Sequence, residues 1–497
     1  MKLKLSNTLS KIVYALLAVL FLWVLVKMFA NSFYAYSPLF LGAGVAAALA
    51  LMLLFWRFIQ RHEALFEKHF RLITAVFVLF MLALQLSLSL PLRYAPAFDI
   101  GALYGGAIEW AETGSFASYY EYFAMFHNNF GGLLLFRLWF GAARAFGASD
   151  YFFAACLLNS LLCAATVLLT ASCAGRLFGI RGRIMALFLI FISLPFYFIA
   201  PAFYTDALTM VFPPLILRLW LYARDEERPL QRLSAFVLTG LFCAFGFGIK
   251  ATVLIMLIAV LIEGILYDNW KTWLPLAAVA AALTACISLA VGSVILSHIG
   301  RDEAEKRRVP ITHWIMMGLA GWGGYNNADY QFTKSFEDAE ERSAAISQKI
   351  SERLSDMSPA SAFRLFDSKL DLVWCDGTYG LSDCLGCPHD EDNFLHEFLV
   401  KQDGAPREAY KHSCTAVLAA MYLLLIFSCI ADSFLKGKTV RLLAPRLALL
   451  GVFLFFLIWE ARWRYFSNFV PIVMLCAITG LESVSDLASR REKRPLS

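Results

Sequence analysis

"FGGLLLFRLWFGAARAFG", residues 130–147, is apolar enough to enter a bilayer but short for crossing one. A spanning helix needs about 20 mostly apolar residues for a hydrocarbon core of roughly 30 Å. This stretch also carries Arg137 and Arg144, seven apart and so on one face of a helix. Whether it crosses sets the sidedness of every later segment. Charge bookkeeping along the chain decides the matter.

The chain has 497 residues, 60% of them hydrophobic and only 16% charged. Soluble domains usually carry about 25% charged residues. The excess of apolar residues falls into runs at about 11–30, 38–56, 72–90, 151–173, 184–203, 207–223, 233–249, 251–267, 274–297, 413–434, 441–460 and 466–483. These lengths suit transmembrane helices and predict an all-α polytopic membrane protein. The first run passes at once into a second, so it reads as a span rather than a cleavable signal. A net charge of +5 is explained by loops at one membrane face. No nucleic-acid motif and no coiled-coil heptad is present, so nucleic acid is not expected as a partner.

With Lys2, Lys4 and Lys11 placed in the cytoplasm, the basic loop Arg57, Arg61, Lys68 and Arg71 falls there too, after two spans. If 130–147 crosses, Arg176, Arg181 and Arg183 land outside and the later frame inverts. If it lies in the interface or re-enters, those arginines stay inside. So do Arg224–Arg232, Lys436–Arg441 and the tail Arg490–Arg494. The positive-inside rule therefore predicts an interfacial 130–147, about twelve transmembrane helices and both termini cytoplasmic in the cell membrane. Arg301, Lys306, Arg307 and Arg308 fall outside, in a long loop where the rule is weak and where Asp302, Glu303 and Glu305 offset them. The chain divides into an N-terminal transmembrane module (1–297) with an outer loop at 91–129, an extracytoplasmic segment (298–411), and C-terminal helices with a cytoplasmic tail (412–497).

That frame gathers the unusual polar residues on one face. Asp99 lies in the outer loop, and Asp206 at the junction "FYTDALTM". Lys250 sits in the hairpin "FGIKATVL", and Glu460, Arg462 and Arg464 in "WEARWRYFSNFVP". Singly, each has a plain structural reading. Asp99 and Asp206 could cap the helices that follow them. Lys250 could snorkel to the interface. Arg462 and Arg464 could anchor an aromatic belt with Trp463 and Tyr465. As a set they favour chemistry, because ionisable groups at that depth are costly. Cations can hold a phosphate, and a carboxylate can accept a proton from an attacking nucleophile.

An acid in the first large outer loop, interfacial helices after it, and a second acid at "YTD" resemble the membrane glycosyltransferases of the GT-C fold. The branch most similar is that of the protein O-mannosyltransferases and aminoarabinose transferases. The run from "ASDYFFAACLLNS" to "PAFYTDAL", residues 148–208, is similar to that branch's third module, including an "RLFG" turn. "FGFGIKATVLI" resembles its lysine-bearing hairpin, "EARWRYFSNFVP" its late "RY…P" element, and "HNNFGG" at 127–132 its Asn-rich start of an interfacial helix. "HWIMMGLAGWGGYNNADYQFT" and "VWCDGTYG" resemble outer-loop elements of a Gram-positive bacterial subgroup.

The resemblance implies transfer of a sugar from a polyprenyl-phosphate donor, entering from the bilayer, to an extracytoplasmic glycan, lipid or polymer hydroxyl. It implies Asp99 as general base. Asp206 would hold a metal, a donor cation or the acceptor. Lys250, Arg462 and Arg464 would meet the donor phosphate, with Glu460, His127, Asn128, Asn129 and Tyr204 as further substrate-binding positions. Some members carry two adjacent acids in the first loop. Here Ile100 follows Asp99, and Glu109 and Glu112 come further along the helix. A divalent metal is thus left open as a cofactor, and no metal ligand is assigned. The rival class is a transporter or flippase of lipid-linked saccharides. Such proteins tend to show internal repeats and mid-span broken helices, and neither is evident here.

In the segment 298–411, "SFEDAEERSAAISQKISERLSDM" reads as a solvated scaffold helix. "GWGGYNNADY" reads as a loop able to approach a ligand closely. His313, Trp314, Tyr325 and Asp329 could contact a sugar or simply pack the loop. Cys375, Cys384, Cys387 and His389 lack the paired spacing of a structural zinc site. Outside the cytoplasm a disulfide from Cys375 to Cys384 or Cys387 is the expectation.

Overall fold

The computed structural model describes residues 2–30, 32–267, 270–386, 393–401, 403–434 and 442–492. Lys436–Arg441, Cys387, His389 and the end of the basic tail lie outside the described residues. Every regular element described is helical, which is how a chain satisfies its backbone polar groups inside hydrocarbon.

The chain opens with α1 (Lys2–Ala30), α2 (Pro38–Arg61) and α3 (Glu63–Ser89). Then come α4 (Phe98–Thr113), the short α5 (Tyr120–Met125) and α6 (Phe130–Ala145). The 42-residue α7 (Tyr151–Ile192) is followed by α8 (Thr205–Leu208) and α9 (Phe212–Asp225). Next are α10 (Pro229–Ile249), α11 (Val253–Tyr267) and α12 (Trp270–Ile299). Seven shorter helices fill the outer segment: α13 (Arg301–Arg307), α14 (Thr312–Gly318), α15 (Asn327–Lys334), α16 (Ala339–Ser355), α17 (Pro359–Trp374), α18 (Leu381–Leu385) and α19 (His396–Leu399). The chain closes with α20 (Ala405–Phe434), α21 (Leu443–Ile458) and α22 (Val470–Glu492).

The helix α7 is two passes joined by a sharp reversal. Gly179 has φ 68° and ψ −157°, a conformation open to glycine and strained for any side chain. The pairings across it prove the reversal. Gln85 Nε2 donates to Phe196 O at 2.6 Å and reaches Cys163 Sγ at 3.2 Å. Asn159 Nδ2 donates to Ile199 O at 2.6 Å. Residues 163 and 196, and 159 and 199, straddle Gly179 almost symmetrically, as the strands of a hairpin do. The "RLFG" turn is therefore real.

Nine of the described helical stretches are long and apolar enough to cross a membrane, one of them this hairpin, and α11 and α21 are shorter apolar helices. The result is the twelve-pass, all-α membrane architecture expected from the apolar runs. Contacts at the helix ends sort these passes into two faces. On one face Arg181 meets Glu63 at 2.8 Å, Arg176 meets Asp225 at 2.8 Å, Tyr267 meets Ser10 at 2.6 Å, and Trp56 Nε1 meets Ser485 at 2.8 Å. On the other, Arg93 pairs with Asp150, Lys27 with Asp367 at 2.8 Å, and Ser37 N with His412 at 2.9 Å. Both chain ends fall on the first face. Asp99, Asp206, Lys250 and the whole segment 298–411 fall on the second, called the site face below.

The stretch 130–147 lies along the site face. At its start, Gly131 packs so tightly on Gly248 that a Cβ would sit 2.2 Å from the Gly248 carbonyl oxygen. Further on, Trp139 Nε1 donates to Ala154 O at 2.7 Å. Gly248 is in the last turn of α10 and Ala154 in the first turn of α7, both site-face ends. Arg144 donates to Ala111 O and Glu112 O at 2.8 Å each, and Arg137 lies over the Trp110 ring at 5.9 Å. The two arginines share a face, as their spacing predicted, and that face is turned to α4.

The disulfide expected from Cys375 is not formed. Cys375 is a buried free thiol whose Sγ lies 3.7 Å from Val24 O, held against α1 at the end of α17. That packing draws it into the helical core and away from the outer loops.

The two faces should differ in access to solvent. A cysteine introduced for Ser149 in a background lacking reactive native thiols should react with a membrane-impermeant maleimide in intact cells. One introduced for Glu227 should react only after permeabilisation. The reverse pattern would place the site in the cytoplasm.

Candidate functional site

Asp99 stands in the first turn of α4, but it does not cap that helix. Ala97 occupies the cap position and no side chain bonds there. Phe98 takes φ 53°, a costly conformation for a bulky side chain, and is 91% exposed. Gly101 packs under the Pro96 carbonyl, where a Cβ would lie 2.5 Å from the oxygen. This tight turn leaves the exposed Asp99 carboxylate to be held by two phenols. Tyr122 donates to Oδ1 at 2.8 Å and Tyr204 to Oδ2 at 3.3 Å. Asn129 Nδ2 in turn donates to the Tyr122 oxygen at 2.6 Å. Burial, reinforced by the Asp99 charge, raises both phenols well above their usual range, so they remain donors.

Asp206 is not a cap either. It is buried, and its oxygens meet two cations: Lys250 on Oδ1, and Arg464 Nε on Oδ2 at 3.0 Å. The Arg464 NH1 nitrogen reaches Asp383 at 2.9 Å. Two aromatic faces complete the cluster. The Lys250 ammonium lies 4.1 Å from the Tyr465 ring centroid, and the Arg464 guanidinium 5.1 Å from that of Tyr204. Burial lowers the Lys250 pKa, opposed by Asp206. Glu460, whose carboxyl burial pushes up, bonds Arg462 at 3.3 Å and the Tyr465 hydroxyl at 3.3 Å. A carboxylate already neutralised by two cations is poorly placed to hold a divalent metal. Among the described residues, no group of three His, Cys, Asp or Glu is arranged to hold one.

Beside this cluster opens a cavity of about 750 Å³. Its walls are mostly apolar and come from α6, α7, α9, α10 and α12, with Leu134, Leu169, Leu215 and Phe245 among them. At the site face the lining turns polar: His127, Asn128, Asn129, Tyr204, Lys250 and Arg308. Trp314 and Trp459, stacked at 5.8 Å, also line it. His127 Nε2 is buried with no partner among the described residues. Burial and the nearby Arg308 bring its pKa down to about 4, so it is neutral near pH 7 and its Nε2 is free to accept a hydrogen bond.

The residues expected from the sequence thus form two linked groups. His127, Asn128, Asn129, Tyr204 and Lys250 line the cavity. Asp206, Arg464, Glu460 and Arg462 stand behind them. Asp99 is at the rim, joined to the lining through Tyr204.

Residues 27–484 match the family described as conserved hypothetical integral membrane protein. The chain belongs to that family. No curated protein matches the chain. Among solved structures it is similar to ArnT from Cupriavidus metallidurans bound to undecaprenyl phosphate. That match has 14% identity, covers 84% of this chain and 79% of that one, and has a TM-score of 0.35. It is likewise similar to the same protein in the apo state, at 14% identity, 84% and 78% coverage and a TM-score of 0.37.

Sequence reasoning passed over three residues that the geometry brings forward. Tyr122 orients Asp99, Asp383 shares Arg464, and Arg308 lines the cavity with no ion pair among the described residues. Arg308 was counted with the loop charges, and nothing in that charge-rich run marks it out. Tyr122 and Asp383 carry no local signal, because their partners lie 23 and 81 residues away.

The ion cluster predicts a charge-balance effect on stability. Asp206→Asn leaves Lys250 and Arg464 buried with half their compensation, and should cost about 3–5 kcal/mol. Asp206→Asn with Lys250→Met removes one uncompensated charge and should recover part of that loss. Thermal unfolding of the purified protein measures both, and a double variant less stable than the single would contradict the pairing.

Proposed function

We propose that this protein is an integral-membrane glycosyltransferase that moves a sugar from a polyprenyl-phosphate donor to an extracytoplasmic acceptor hydroxyl. The observation that carries the reading is the cavity. Its apolar walls run among the helices, and its polar end meets the residue that holds an exposed carboxylate. A polyprenyl chain suits such walls, since each buried methylene contributes about 0.8 kcal/mol. At the polar end Lys250 and Arg308 suit a phosphate, and neutral His127 can accept a hydroxyl hydrogen bond. The reading takes up the resemblance to the O-mannosyltransferase and aminoarabinose-transferase branch.

In this mechanism the acceptor hydroxyl approaches Asp99 from the exposed side. Asp99 takes its proton as the oxygen attacks the anomeric carbon. The bond from that carbon to the phosphate oxygen breaks, and the electron pair leaves with the polyprenyl phosphate. Lys250 and Arg308 stabilise the charge that develops there. One displacement inverts the anomeric centre. Tyr122 and Tyr204 hold Asp99 in position, and Asp206, itself gripped by Arg464, holds the Lys250 side chain at the cavity wall.

Membranes containing the wild type should transfer label from at least one of a panel of polyprenyl-phosphate hexoses and pentoses. Asp99→Asn should lower that rate about 10²–10⁴-fold, the usual contribution of a positioned base. Equal transfer by the two proteins would remove Asp99 from the role.

A further inference from the structure

Beside Asp99 the site face carries a line of aromatic rings. Tyr122, which bonds Asp99, packs on Phe126 at 5.0 Å. Phe126 stacks on Tyr330 at 6.5 Å with the rings 14° apart. Beyond it is Tyr325, whose ring lies 5.2 Å from the Arg462 guanidinium. Tyr325 is 41% exposed and Trp322, in the same glycine-rich loop, 42%. The line reaches the carboxylate through Tyr122, which bonds Asp99 directly. These rings come from two segments far apart in sequence, and the Tyr122 and Tyr330 ends are half-buried. Arg462 lies over one face of the Tyr325 ring and the Trp322 ring packs against Gly324, while both rings stay partly open to solvent.

We propose that this rim is an acceptor subsite for a saccharide, so that the hydroxyl attacking at Asp99 belongs to a glycan rather than to a protein or a lipid. The inference rests on the glycosyltransferase reading. Aromatic faces carry negative charge density and favour the polarised C–H groups on one side of a pyranose ring. The exposed Asn327, whose Oδ1 accepts from the Tyr325 hydroxyl, and Arg462 beside the Tyr325 ring suit the sugar's hydroxyls. In the glycosyltransferase reading the apolar cavity is taken by the polyprenyl chain of the donor, which leaves the exposed rings of the rim for the acceptor. Peptides are the competing class of acceptor, and the test below sets them beside the glycans.

The test uses the full chain in lipid nanodiscs on an array of bacterial envelope oligosaccharides, beside a library of Ser/Thr peptides. Wild type should bind at least one glycan class saturably. Tyr325→Ala should weaken that binding tenfold or more, and Tyr325→Trp should restore it. Undecaprenyl phosphate binding, measured by thermal shift, should be equal in all three proteins, which also shows that the variants are folded. Glycan binding unchanged in Tyr325→Ala, capture of peptides in place of glycans, or no glycan bound by the wild type would each overturn the subsite. Loss of undecaprenyl phosphate binding by the wild type would instead strike the donor reading.

Discussion

Asp206 ties together three parts of the chain that lie far apart in sequence. Its carboxylate takes Lys250 from the α10–α11 turn and Arg464 from the segment between α21 and α22. Through Arg464 it reaches Asp383 in α18 of the outer segment. None of these groups is more than 16% exposed, so each would be very costly alone. A buried pair adds little net stability over well-packed apolar groups, but breaking it is expensive. The cluster therefore acts as a lock: the helix ends must meet in this arrangement or leave a charge stranded. That requirement sets one wall of the cavity and the height of Lys250 within it.

The lock is backed by contacts that fix the Glu460–Arg464 segment from outside. Glu460 N donates to Trp314 O at 3.1 Å and Ala461 N to Gly323 O at 2.9 Å. The buried Lys369 ammonium bonds Leu457 O at 3.1 Å and Trp459 O at 3.0 Å, taking up carbonyls freed where α21 ends. Burial brings Lys369 down to about 7. An amine keeps two N–H donors after losing its proton, so both bonds survive in either state. The outer segment is thus part of the site's frame.

The membrane architecture could be read from the sequence because bilayer thickness and loop charge act on local runs. Run length gave the passes, and Arg176, Arg181 and Arg183 gave the frame that lays 130–147 along one face. The location of the polar residues was legible for the same reason, since sidedness follows from counting spans. Their pairings were not. Asp206 and Arg464 are 258 residues apart, and Tyr204 and Asp99 are 105. Only packing of the helices selects Arg464 over Arg462 as the partner of Asp206. Capping propensity also misled, because an acid in a first turn reads as a cap until its side chain is seen to turn elsewhere. Cys375 failed in a similar way: a polar neighbourhood in sequence became a buried one in space.

Tyr204 shows why the two acids have separate tasks. Its ring lies under the Arg464 guanidinium, its hydroxyl bonds Asp99, and the residue lines the cavity. Asp206 is buried, with Lys250 on one oxygen and Arg464 on the other. Asp99 is exposed and held by two phenols, with no cation bonded to it among the described residues. A base must be open to its substrate and a structural anion must be closed to it. Under the proposed mechanism the two carboxylates would meet those opposite demands, linked through Tyr204 and Arg464. In the proposed reaction the acceptor would then arrive from water and the donor from the bilayer, with Tyr204 standing between them.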